Sequence, residues 1–264
     1  MNKLLFIKLG GSLITDKTVP ELFQLEQTQH VAQQIKFGLE NKECKLIIGN
    51  GAGSFGHYSV LKYDLTKGIK TEDQKEGFCV VHQSVVKLNQ LVVDELLKFH
   101  VNAFAINPSS ILISNNNDTK LFFTEPIVEM LDRNIIPVLF GDIIIDEKIG
   151  SCVYSTERLF VELILELKKY HFDIKIIYAG ITDGVFGSDG KTISHINNNN
   201  WNSIKKEIFT TKGFDVTGGM LHKVEQSLLL AKQGVETHII DARMPNDNLY
   251  KAMRNEFNGG TIIE

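Results

Sequence analysis

The sequence predicts an α/β fold: a mainly parallel sheet with helices on both faces. Two observations carry this. Short runs rich in Ile, Val and Phe alternate along the chain with longer amphipathic stretches, the pattern of strands joined by crossover helices. The runs are also apolar at nearly every position, as strands buried on both faces must be.

The elements follow in order. Leu4 to Leu9 is a first strand that runs into Gly10-Gly11, and Lys45 to Gly49 is a second that ends in another glycine cluster. A helix begins near Glu72 and carries Phe78, Val81, Val85, Leu88, Leu91 and Leu96 along one side, the spacing of an amphipathic face. Val101 to Ile106 and Ile135 to Phe140 are strands, and Gly141 to Val153, with Gly150 near its middle, reads as an inserted hairpin. Thr156 to Tyr170 is helical, Ile174 to Ala179 a strand, Thr217 to Gln233 a helix stopped by Gly234, and Thr237 to Asp241 a strand. The polar tracts Asn115 to Asp118 and Asn197 to Asn200 are expected to be exposed loops. A weak boundary near Tyr170 to Asp173 separates two lobes of one domain, about 1–171 and 172–264, with no linker between them.

Composition removes several classes of function. With 28 Lys and Arg against 32 Asp and Glu, the 264 residues carry a formal charge of -4, which argues against nucleic acid as a partner. No apolar run approaches the roughly 20 residues that cross a bilayer, so no membrane partner is expected. The apolar stretch at the start is too short for a signal peptide. Cys44, Cys79 and Cys152 are widely separated and form no CxxC pair; reduced thiols in a cytoplasmic protein, and no structural metal, are expected.

Three glycine turns carry the chemistry. In Lys8-Leu9-Gly10-Gly11-Ser12 the backbone can turn sharply and present N–H groups to an anion, with Lys8 beside it and Lys17 within reach. Gly49-Asn50-Gly51-Ala52-Gly53-Ser54-Phe55-Gly56-His57 again follows a strand. Gly51, Gly53 and Gly56 match the dinucleotide pattern GxGxxG, but a polar, lysine-rich stretch follows where a second strand ending in an acid is needed. Ala52 to Gly56 approximates a nucleophile elbow around Ser54, without a distinguished His and acid to complete it. A phosphate cradle is the third reading, with His57 donating to the anion. In Asp215 to Lys223, Asp215 or Thr217 would cap a helix, Gly218 and Gly219 would offer N–H groups, and Lys223 would reach the same anion one turn later. Lysines around several anion-binding turns suit transfer between two phosphates, because that chemistry needs mainly neutralisation and alignment.

These segments, in this order, resemble the amino acid kinase superfamily and its isopentenyl phosphate kinase branch. Ile14-Thr15-Asp16-Lys17, Pro108-Ser109-Ser110, Gly141-Asp142 and Asp183-Gly184-Val185 extend the likeness over nearly the whole chain, and the His after the second turn marks the branch. The resemblance implies a three-layer α/β/α sandwich whose N-terminal lobe holds the acceptor and whose C-terminal lobe holds ATP. It implies that Lys8, Gly10, Gly11 and Ser12 contact ATP phosphates and that Lys17 stabilises the transferring group. It places Ala52 and Gly53 at the junction of the two phosphates. Gly56, His57 and the backbone of Thr156 go to the acceptor, Asp183 lies near the nucleotide, and Gly219 and Lys223 sit on its outer phosphates. Mg²⁺ would arrive on ATP, and a cytoplasmic homodimer is implied.

Two departures stand out. Ser155-Thr156-Glu157-Arg158 replaces the branch's usual Ser-Gly-Asp-Asp and resembles fosfomycin kinases, which phosphorylate a phosphonate. Ala179 to Gly184 lacks one of the usual acids near the nucleotide, at Ile181. The expected activity is ATP-dependent phosphorylation of a small alkyl monophosphate, foremost isopentenyl phosphate. A phosphonate kinase and a nucleotide-binding protein without turnover are the alternatives.

Overall fold

The computed structural model describes residues 2–65, 68–210 and 218–264, apart from the side chains at 57–59 and 207–210. All six apolar runs become strands of one eight-stranded sheet. Its order is His195–Ile196, Thr261–Ile263, Glu236–Asp241, Asp173–Gly180, Lys3–Leu9, Lys45–Asn50, Ile136–Phe140, Ala103–Ala105. Neighbours are parallel except Thr261–Ile263 against Glu236–Asp241. The first strand thus lies in the interior of the sheet, between Asp173–Gly180 and Lys45–Asn50.

Period-two alternation is absent from these strands because both faces are covered. Leu5, Ile7 and Leu9 enter a core shared with Val31 and Ile35 of the Leu25–Leu39 helix and Leu88 and Val92 of the Glu72–Lys98 helix. Leu4 and Phe6 face the opposite core, with Phe160 and Ile164 of the Thr156–Leu167 helix and Leu228 of the Gly218–Ala231 helix. Each such buried aliphatic or aromatic side chain contributes about 1.5–3 kcal/mol. The result is helices, sheet and helices in three layers, as expected.

Helix starts follow local chemistry where a cap exists. Thr71 accepts from the Gln74 N–H at 3.2 Å ahead of Glu72–Lys98, and Ser155 accepts from the Arg158 N–H at 3.2 Å ahead of Thr156–Leu167. Among the described helices that the sequence pattern does not announce, two are instructive. Leu25–Leu39 has no side-chain cap, and its buried stripe includes polar Thr28 and Gln34. Trp201–Thr210 follows directly on the asparagine tract that reads as loop.

The inserted hairpin, Asp142–Asp146 with Gly150–Tyr154, belongs to a second sheet of four strands with Leu112–Asn115 and Asp118–Phe122. The tract Asn115 to Asp118 is exposed, as expected, and forms the turn of a hairpin, with Asn116 and Asn117 at φ 54 and 69. Asp146 pins it. Its buried carboxylate accepts from the N–H groups of Asn116, Asn117, Lys148 and Ile149 at 2.8 to 3.0 Å and from Ser114 Oγ at 2.8 Å. Burial opposes ionisation there, yet these donors hold the carboxyl well below the usual range.

Candidate active site

The parallel strands end side by side, with Leu9 in register with Ala179 and Asn50, and Asn50 with Phe140. Loops beyond strand carboxyl ends are where open α/β sheets bind ligands. Gly10, Gly11, Ser12, Ala52, Gly53 and Asp183 all lie along this edge.

The first two glycine turns are clasped to each other. Gly10 N–H donates to Ala179 C=O at 2.8 Å and Gly51 N–H to Leu9 C=O at 2.9 Å, extending the ladder past the strands. A Cβ on Gly11 would stand 2.5 Å from the nitrogen of Gly53, and Gly53 itself has φ +50. Main chain approaches main chain here, which only glycine permits. Thr15 fastens the contact: its hydroxyl donates to Gly11 C=O at 2.8 Å and accepts from Ser54 N–H at 3.0 Å. Nothing in the local sequence pattern around Thr15 announces this bridge. Lys17 lies two residues further on, exposed, in the turn between Thr15–Asp16 and Leu22–Phe23.

Lys8 is placed by the sheet. It shares the face of Leu4 and Phe6, is only 5% exposed, and sits in register with Tyr178 on one side and Gly49 on the other. Its Nζ is 6.0 Å from the centre of the Tyr178 ring. Gly49 leaves room above Lys8's neighbouring strand: a Cβ there would meet Thr156 Cγ2 at 2.5 Å and Phe160 Cε1 at 2.7 Å. The Thr156–Leu167 helix therefore settles onto the sheet and delivers Glu157, whose Oε1 is 2.6 Å from Lys8 Nζ. Burial pushes the Glu157 carboxyl up, but the charges of Lys8 and Lys223 and the hydrogen bond from Lys8 outweigh it and hold it below the ordinary range. Glu157 thus brings together two of the lysines singled out in the sequence. Burial, and then the Glu157 charge, raise the Tyr178 hydroxyl, which faces Ser227 without a well-formed hydrogen bond. Ser227 Oγ donates instead to Lys223 C=O at 2.8 Å.

The other expected residues divide. Gly219 is exposed in the first turn of Gly218–Ala231, one turn before Lys223. Asp183 is exposed, and its C=O accepts from Thr192 Oγ1 at 2.7 Å. Thr156 is buried and its hydroxyl donates to Asn50 C=O at 2.7 Å, at the first position of its helix. Gly56 is buried inside the Gly53–Lys62 helix, where a Cβ would meet Ala52 and Val85, so packing requires a glycine there. The side chain of His57 lies outside the described residues, as do Asp215 and Thr217.

Arg158 does not face this edge. Its guanidinium lies 3.7 Å from the Tyr154 ring centre, donates to Tyr154 Oη at 2.8 Å and to Asn117 C=O, and lies 4.0 Å from Glu162. The charge reversal expected there is spent on the small sheet. The nucleophile-elbow reading fails because Ser54 Oγ is buried and Ser54 is only 1% exposed. The dinucleotide reading fails because two helices, Gly53–Lys62 and Glu72–Lys98, follow the turn where a strand is required. On the apolar face of the Glu72–Lys98 helix, Val81 and Val85 are core, and Phe78 packs against Leu65, Val81 and Ile143.

Among the described residues no helix is long and apolar enough to cross a membrane, and no group of three or more His, Cys, Asp or Glu could hold a metal ion.

Comparison with known proteins agrees with the geometry. An isopentenyl phosphate kinase of Methanocaldococcus jannaschii is 35% identical, the match covering 98% of each chain. One of Methanothermobacter thermautotrophicus is 29% identical, again over 98% of each. A crystal structure of an isopentenyl phosphate kinase superposes with a TM-score of 0.81 at 26% identity, covering 98% of this chain and all of that one. The family model described as the amino acid kinase family matches residues 3–241. Sheet order, clasped turns and sequence likeness lead to one conclusion: this chain belongs to the amino acid kinase family.

Proposed function

We propose that the chain is a kinase that transfers the γ-phosphoryl group of ATP to isopentenyl phosphate, giving isopentenyl diphosphate. The observation that carries this reading is the buried Lys8–Glu157 pair with Lys223 beside it, set against two glycine turns whose main chains touch. An anionic acceptor oxygen attacks the γ-phosphorus in line and ADP leaves. No strong base is required, because the attacking oxygen is already charged; the work is alignment and neutralisation of negative charge.

In this reading the acceptor binds on residues about 1–171 and the nucleotide on about 172–264. Lys8, Lys17 and Lys223 neutralise the transferring phosphate, and His57 binds the acceptor phosphate. Gly10, Gly11 and Ser12 hold ATP by their main chain, with Gly219 and Asp183 on its far side. Ala52, Gly53, Gly56 and the Thr156 backbone line the acceptor phosphate. Mg²⁺ comes with ATP, since the described residues offer no carboxylate cage. Arg158 is engaged elsewhere, so the phosphonate-kinase likeness of Ser155 to Arg158 does not extend to this edge. The reading includes a cytoplasmic homodimer, its mass open to light scattering.

ADP release with MgATP and either isopentenyl phosphate or fosfomycin tests the proposal. Rapid turnover of the first and none of the second is expected; the reverse result refutes it.

A further inference from the structure

Asn50 closes the strand next to Lys8 and has no exposed surface. Its side-chain Oδ1 accepts from Nδ2 of Asn89, on the Glu72–Lys98 helix, at 2.8 Å, and Asn89 is itself 1% exposed. Its main-chain carbonyl accepts twice, from Thr156 Oγ1 at 2.7 Å and from Gly141 N–H at 3.2 Å, which uses both lone pairs. Gly51, the next residue, is part of the turn clasped to Gly11. Four segments therefore meet at one residue: the strand, the long helix, the start of the small sheet, and the helix whose second residue is Glu157.

We propose that Asn50, locked by Asn89, is a positioning residue for phosphoryl transfer, fixing the acceptor-side glycine turn relative to the helix that holds Glu157 against Lys8. The inference rests on the kinase reading above. Two amides in a dry core cost free energy unless bonded, and an apolar pair would fill the same space without that cost. The amides add direction, which packing alone does not supply. A shift of Asn50 moves Thr156 through its hydroxyl and so carries Glu157 away from Lys8, while the same shift displaces Gly51. Misplacement by about 1 Å can slow such a reaction on the order of 100-fold.

The test uses the full chain and the variants Asn89→Leu, Thr156→Val and Thr156→Ser. Asn89→Leu and Thr156→Val are expected to lower kcat by about 10- to 100-fold, with KM for ATP and acceptor changing little. Thr156→Ser keeps the hydroxyl that bonds Asn50 C=O and should retain kcat well above that of Thr156→Val. Amide hydrogen exchange in Asn89→Leu should quicken at residues 51–56 and 141 but not in Asp173–Gly180 or Glu236–Asp241. Unchanged kcat, a loss of kcat that only follows the folded fraction, or a uniform rise in exchange would overturn the proposal. If Asn89→Leu fails to fold, the Thr156 pair decides alone. A wild-type chain inactive on isopentenyl phosphate would sink the substrate assignment, and the exchange pattern would then judge the anchor separately.

Discussion

Glu157 stays ionised in a nearly dry setting because two ammonium groups face it. Glu157→Gln leaves Lys8 buried without its counter-charge, and breaking a buried pair this way costs about 3–5 kcal/mol. Urea denaturation should register that loss, and ADP release should fall with it. ATP should then stabilise Glu157→Gln more than wild type, since its phosphates return negative charge to Lys8; equal stabilisation would argue against Lys8 facing the nucleotide. Lys17, exposed beside the clasped turns, has the opposite signature. Lys17→Ala should lower kcat far more than it raises acceptor KM, and a pure KM effect in steady-state kinetics would contradict its assignment. At this scale the sequence was half legible. Lysines ahead of paired glycines advertise an anion, but Glu157 is remote from Lys8 in the chain and read instead as a departure. Only the sheet register and the bare Gly49 reveal why it belongs there.

Single contacts between elements decide how the edge is held. His82 on the Glu72–Lys98 helix bonds through Nδ1 to Asp142 Oδ1 at 3.0 Å, and Asp142 also accepts from the N–H groups of Ile143 and Ser109 at 2.8 and 3.2 Å. The bond to Asp142 raises the imidazole pKa above its ordinary 6.5, against the opposing effect of burial. A raised folded pKa means the stabilisation is fully present below the unfolded value and disappears as pH climbs through the folded one. The unfolding free energy of wild type should therefore exceed that of His82→Gln at pH 5.5, with the gap closing toward pH 9 in urea titrations. A gap that widens with pH would remove the ion pair from the account. Gly49→Ala tests the other fastening. Its methyl would collide with Thr156 and Phe160, lifting the helix from the sheet. Activity should drop with Lys8 and Glu157 both intact, as ADP release would show. Strands buried on both faces were plain in the sequence, whereas Leu25–Leu39 was not, since its polar glutamines blur the stripe and nothing caps it.

The molecule as a whole rests on one eight-stranded sheet that runs unbroken through the N-terminal and C-terminal parts of the chain. Trp201, the single tryptophan, packs against the core that contains Leu4, Phe160 and Leu228. Its fluorescence should change at the same urea concentration as far-UV circular dichroism, as one cooperative unit requires; separated midpoints would mean two lobes that unfold independently. The overall architecture was legible because alternating runs and helices leave few topologies open. Of the small sheet, the hairpin within Gly141 to Val153 was legible; Leu112–Asn115 and Asp118–Phe122 were not, since their turn at Asn116 and Asn117 is secured by Asp146, a residue about 30 positions away that no local pattern can announce. The interior place of Lys3–Leu9 also bears on biogenesis. That strand emerges from the ribosome long before Asp173–Gly180, and at roughly 5–20 residues per second the delay lasts many seconds. Throughout that interval the flank of Lys3–Leu9 that later receives Asp173–Gly180 stays open.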